Sequence, residues 1–129
     1  MSDVEFFPLA ASLGPITPPF SEAVRVGDVL YLSGALGTGA DGSLVPGGIE
    51  AETRQALANI ATVLGRHGSA LDRVVKVTVM LADMADWPAM NAVYLDHFGP
   101  ALPARSAFGA SGLALGARVE IECVATIGD

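Results

Sequence analysis

The sequence predicts an α+β domain in the order β-β-β-α-β-α-β-β, with two helices on one face of a sheet. Two segments of helical periodicity, six short runs rich in β-branched residues and a low share of charged residues carry this reading. The first three strands are read at Val4–Pro8, Ala23–Val26 and Val29–Gly34. Gly27-Asp28, between the second and third, has the two-residue form of a tight hairpin. From Glu50 to His67, Thr53, Ala56, Leu57, Ile60, Val63 and Leu64 fall on one helical stripe, and Gly68 stands where a left-handed C-terminal cap belongs. Val74–Ala82 is the fourth strand. The second helix starts near Asp86 and tolerates Pro88 in its first turn, where no backbone N–H is needed. It runs through Met90, Val93 and Tyr94 to a stop at Gly99-Pro100. Arg105–Ala110 and Arg118–Ile127 complete the sheet.

Side chains alternate across a strand, so the last strand turns Val119, Ile121, Cys123, Ala125 and Ile127 toward the helices. Arg118, Glu120, Glu122, Val124 and Thr126 face the other way. The same rule puts Val75, Val77, Val79 and Leu81 on one side of the fourth strand and Val74, Lys76, Thr78 and Met80 on the other. Two helices cover only one face of such a sheet. The second face is too apolar to stay bare and too polar for a core, so another copy of the chain is its expected cover.

The 129 residues are read as one domain, 1–129, of common size. Charged residues make up 16% against 51% hydrophobic, below the about 25% of an ordinary soluble surface, which again points to burial between subunits. Seven Lys+Arg against 14 Asp+Glu leave a net charge of −7, which excludes the basic face a nucleic-acid binder needs. Met1-Ser2-Asp3-Val4-Glu5 is acidic where a secretory signal is basic, and no apolar run approaches the ~18 residues of a membrane span. The expectation is a cytoplasmic protein without membrane contact. The single cysteine, Cys123, allows neither an intrachain disulfide nor a multi-cysteine zinc site.

Gly37-Thr38-Gly39-Ala40-Asp41-Gly42 matches the G-x-G-x-x-G spacing, but six further residues precede any helix, so no helix N-terminus meets a pyrophosphate there. A surface loop is the reading, and no dinucleotide is expected. His67 and His97 each close a helix and lack partners at metal-ligand spacing, so they are read as dipole-favoured side chains and no metal is expected. Cys123 on the core face is a small hydrophobe rather than a nucleophile. Arg105 enters a strand of small and apolar residues, where a guanidinium either pairs with a structural carboxylate or grips a ligand's carboxylate through its fork. Glu120 and Glu122 share a strand face. With Arg105 in the same cleft, Glu120 would supply a water-holding acid beside a carboxylate anchor.

Several stretches in order carry a family likeness: Pro18-Pro19-Phe20-Ser21-Glu22-Ala23-Val24, Gly27-Asp28-Val29-Leu30-Tyr31-Leu32-Ser33-Gly34, Glu52-Thr53-Arg54-Gln55-Ala56-Leu57-Ala58-Asn59-Ile60, Val75-Lys76-Val77-Thr78-Val79, Met90-Asn91-Ala92-Val93-Tyr94, Pro103-Ala104-Arg105-Ser106 and Val119-Glu120-Ile121-Glu122. Over nearly the whole chain the sequence resembles the RidA/YjgF family of imine and enamine deaminases. The resemblance implies a chorismate-mutase-like fold with a mixed sheet, a homotrimer with three clefts between subunits, and a cofactor-free reaction. In that reaction 2-imino acids, formed from enamines such as 2-aminoacrylate, are hydrolysed to 2-keto acids and ammonia. It also implies roles. Arg105 matches the arginine that grips the substrate carboxylate, Glu120 the acid that positions water, Ser33 and Gly34 the strand end lining the pocket, and Asn91 the asparagine of the second helix. Where the family commonly has tyrosine, glutamine, and cysteine or valine, this chain has Phe20, Ala35 and Ala107. These changes predict a less polar or roomier cleft that takes a bulkier or more apolar imino acid than the family's archetype, or one that has lost efficient turnover. The alternative is a non-catalytic member that senses a small carboxylate in the same cleft.

Overall fold

The computed structural model describes residues 3–9 and 18–128. Its strands are β1 (Val4–Phe7), β2 (Ala23–Val26), β3 (Val29–Leu32), β4 (Ala35–Leu36), β5 (Val74–Leu81), β6 (Ala104–Gly109) and β7 (Val119–Thr126). Its α-helices are α1 (Gly48–Arg66) and α2 (Trp87–Phe98). The strands lie in the order β1-β2-β3-β7-β5-β6, with β4 also paired to β7. Among the described strands only β5 and β6 run parallel, and α2 is the crossover that such a pair requires.

The turns and caps follow the sequence signals. Gly27 adopts φ 57° in the hairpin that pairs Val26 with Val29. Beyond α1, Gly68 adopts φ 80° and the next N–H, of Ser69, donates to the Leu64 carbonyl at 2.9 Å. α1 opens two residues earlier than expected, at Gly48 rather than Glu50.

Packing corrects two readings. The strand expected over Val29–Gly34 ends at Leu32 and resumes as β4, an element the periodicity does not reveal. Between the Tyr31↔Val124 and Ala35↔Ile121 pairs the chain advances one residue more than β7 does, so a bulge at the β3–β4 junction re-aims Ser33 and Gly34. A second bulge lies in β5, where Val74 pairs with Ala125 but Lys76, not Val75, pairs with Val124. Val75 is the extra residue. It is therefore 47% exposed while Val74 is buried, the reverse of strict alternation.

The core lies between the helices and the inner sheet face. It joins Leu57, Ile60 and Leu64 of α1 and Met90, Tyr94 and Phe98 of α2 to Val77, Val79 and Leu81 of β5 and Val119, Ile121, Cys123 and Ala125 of β7. Leu57 is fully buried, so Leu57→Ala removes both transfer energy and packing. Urea denaturation should report a loss of about 2–5 kcal/mol with an unchanged m-value.

Two buried carboxylates tie loops to this core. Glu22, just before β2, accepts from Arg66 at 2.7 and 3.2 Å and meets His67 Nε2 at 2.8 Å, while Phe7 stacks on the His67 ring at 4.1 Å. His67 thus has a carboxylate partner, beyond the helix dipole that the sequence suggested. Glu52 of α1 accepts from the Arg118 N–H at 2.9 Å, which holds the chain two residues before Glu120. Among the described residues no helix lies against the outer sheet face. Phe6, Val24, Tyr31, Val124, Lys76 and Ala104 run across it in register, with Phe6 70% exposed.

Candidate functional site

Arg105 stands on β6 beside Val77 of β5, a fully buried core residue, so its side chain projects from the helix-bearing face. Its guanidinium carbon lies 4.7 Å from the Tyr94 ring centroid and 5.2 Å from that of Trp87. A cleft of about 260 Å³ opens there, lined by Asn91, Tyr94, Leu95, Leu102, Pro103 and Arg105. Arg25, Arg66 and Arg118 each meet a carboxylate, whereas Arg105 has none among the described residues. The structural ion pair is therefore set aside, and the fork of N–H donors stays available to a ligand. Asn91 Oδ1 and the Tyr94 hydroxyl are both buried and find no protein partner among the described residues. Burial raises the Tyr94 phenol above its ordinary value, with the Arg105 charge opposing, so at neutral pH it keeps its proton.

Glu120 belongs to the opposite face. It pairs with Met80 of β5 and Leu36 of β4, while its neighbours Val119 and Ile121 point into the core. Its carboxylate lies against Gly34. A Cβ on residue 34 would come within 3.0 Å of the Glu120 Cδ and closer still to Oε2, so glycine is what admits the acid there. Ser33 donates its hydroxyl to the Ser21 carbonyl at 2.6 Å, which locks the strand end. That bond also places Phe20, 54% exposed, one residue from the junction. Glu122 is exposed two residues along β7.

The sequence-predicted residues thus fall into two groups. Glu120, Gly34, Ser33 and the segment bearing Phe20 meet at the β3–β4 bulge. Arg105, Asn91 and Ala107 lie on the other side of the sheet, with Ala107 packed against the core. One protomer does not bring Arg105 and Glu120 into a common cleft, because the pairing register puts Arg105 level with Val77 and Cys123 on the core face, while Glu120 alternates to the other. Ala35 is also re-placed. It pairs with Ile121 and packs against the core, so the amide missing at this position is no loss to the Glu120 face. Sequence reasoning missed Trp87 as an Arg105 neighbour and used Tyr94 only as a core residue. Their spacing, two helical turns apart on one stripe of α2, was the available signal.

Cys123 is buried and its thiol is pushed up to about 12 by burial, so it stays protonated and unreactive. Gly37–Gly42 is a loop in which Asp41 accepts from the Ser43 N–H and hydroxyl, and these bonds hold its carboxyl below the usual range. α1 does not begin until Gly48. His97 bonds the Val93 carbonyl at 2.9 Å. Among the described residues no helix is long and apolar enough to cross a membrane.

Residues 11–127 match the family described as Endoribonuclease L-PSP. A goat (Capra hircus) protein named 2-iminobutanoate/2-iminopropanoate deaminase is 47% identical over 111 residues, covering 85% of this chain and 81% of the relative. The chloroplastic Reactive Intermediate Deaminase A of Arabidopsis thaliana is 39% identical, over 91% of this chain and 61% of its own length. Among solved structures, RidA from an Antarctic Psychrobacter superposes with TM-score 0.83 at 32% identity, covering 98% of this chain and all of that one. A Rid-family protein of unknown function from Yersinia pestis gives 0.86 at 34% identity, with coverages of 96% and 99%.

Proposed function

Because the chain belongs to the RidA/YjgF family, we propose that it hydrolyses reactive 2-imino acids to 2-keto acids and ammonia. Its substrates are of the kind of 2-iminopropanoate, the tautomer of 2-aminoacrylate. The observation that carries the reading is the Arg105 guanidinium, seated in a cleft with no carboxylate of its own among the described residues. Paired N–H···O bonds from it fix a substrate carboxylate, and with it the adjacent C=N carbon.

Imine carbon is already electrophilic, so the protein has only to place a water and move its protons. Glu120 takes a proton from water as the C–O bond forms and the C=N π pair moves to nitrogen. The proton passes to that nitrogen, giving a carbinolamine. The hydroxyl proton then moves to the amino nitrogen as the C–N bond breaks and C=O forms, releasing ammonia and leaving the keto acid.

Arg105 and Glu120 act on one substrate when they come from different copies of the chain, the β6 edge of one meeting the outer face of the next. We take the assembly to be a homotrimer with three such clefts. The apolar outer sheet face supports this, and a stable monomer at micromolar concentration in a sizing experiment would contradict it. Phe20, which lacks a hydroxyl, leaves its side of the cleft apolar and favours an imino acid bulkier or more apolar than 2-iminopropanoate. The unpaired, buried Cys123 suits the reducing cytoplasm in which we place the protein. RNA is not the proposed substrate, because the net charge is −7 and three of the arginines are already engaged by carboxylates.

The test generates 2-aminoacrylate in situ and follows keto-acid formation. Acceleration by the protein supports the reading, and equal rates with and without it overturn it. Thermal stabilisation by pyruvate without turnover would replace catalysis by carboxylate sensing.

A further inference from the structure

We infer that Trp87 and Tyr94 are positioning residues, an aromatic seat on α2 that aims the Arg105 guanidinium into its cleft. The inference rests on the deaminase reading above. Arg105 sits on the edge strand β6, and its side chain makes no ion pair among the described residues that would hold it. An unrestrained arginine loses much rotamer freedom when it grips a ligand, and that loss weakens binding. Here the guanidinium carbon lies 4.7 Å from one ring centroid and 5.2 Å from the other, inside the range of cation–π attraction. Stacking uses the π faces of the rings and leaves the in-plane N–H donors uncommitted, which a carboxylate partner would not.

The seat is itself rigid. Tyr94 is 3% exposed and in tilted contact with Phe98, with centroids 4.6 Å apart, and Trp87 packs against the core at the start of α2. The polar tip of Arg105 is therefore ordered by contact with the faces of these two rings. Because the seat serves carboxylate binding in ground and transition states alike, its loss should raise KM and spare kcat.

Trp87→Leu is the primary variant, since Trp87 is only half-buried. Its KM for 2-iminopropanoate should rise on the order of tenfold, with kcat within about threefold of the parent. Trp87→Phe, which keeps a ring, should restore most of the lost affinity. Tyr94→Leu should act in the same sense where it folds. Trp87 is the sole tryptophan, so pyruvate bound to Arg105 should change its emission saturably, and Arg105→Ala should abolish that change. An unaltered KM in Trp87→Leu, or a fall in thermal stability and active fraction alone, would reduce Trp87 to a packing residue and overturn the inference. So would Trp87→Phe behaving like Trp87→Leu. Full activity in Arg105→Ala would instead remove the deaminase reading itself, a distinguishable failure.

Discussion

Replacing Arg105 by alanine should lower kcat/KM for 2-iminopropanoate on the order of 10²- to 10³-fold, with the fold retained. Truncating one partner of a desolvated, charge-assisted pair costs about 2–5 kcal/mol, and each ~1.4 kcal/mol is tenfold. The fold survives because Arg105 is half-buried on an edge strand and makes no ion pair among the described residues that its loss would orphan. A second expectation follows from the opposite faces on which Arg105 and Glu120 stand. Glu120→Gln alone should also be nearly inactive, since it removes the proton acceptor. Unfolding the two variants together and refolding them as mixed oligomers should recover activity, because some clefts then take Arg105 from one chain and Glu120 from another. Inactive hybrids of confirmed mixed composition would show that the pair does not work across a boundary.

Gly34→Ala should be nearly as damaging as Glu120→Gln, lowering kcat on the order of 10²-fold, although it adds one methyl to an exposed residue. The three atoms nearest the methyl all belong to the Glu120 side chain, with Cδ at 3.0 Å and Cγ at 3.1 Å. A flexible carboxylate gives way where backbone would not, so the acid is displaced while the melting temperature shifts by only a few degrees. Steady-state kinetics beside a thermal melt separates the two effects. A Gly34→Ala enzyme with parental kcat would mean that the place of the Glu120 carboxylate does not matter to the chemistry.

Most of the fold was legible because burial imposes periodicity. The α1 stripe from Thr53 to Leu64 and the alternation in β7 are direct records of which side meets the core, and Gly27 and Gly68 mark turns that need positive φ. The failures fall where one residue breaks a period. Val75 is expelled by a bulge that only the pairing with Val124 and Ala125 reveals, and β4 exists because β7 offers it partners beyond the bulge at Ser33-Gly34. Trp87 was overlooked because nothing local connects the start of α2 with a strand that begins seventeen residues later.

By itself, then, the sequence determined the family, most of the element order and most of the buried faces, since each of these is written in local spacing or residue type. The tertiary structure alone decided that Arg105 and Glu120 leave the sheet on opposite sides, that two rings seat the guanidinium, and that Gly34 makes room for the acid. Those are relations between strands and helices distant in sequence, set by pairing register and packing, and a one-dimensional pattern carries no record of register.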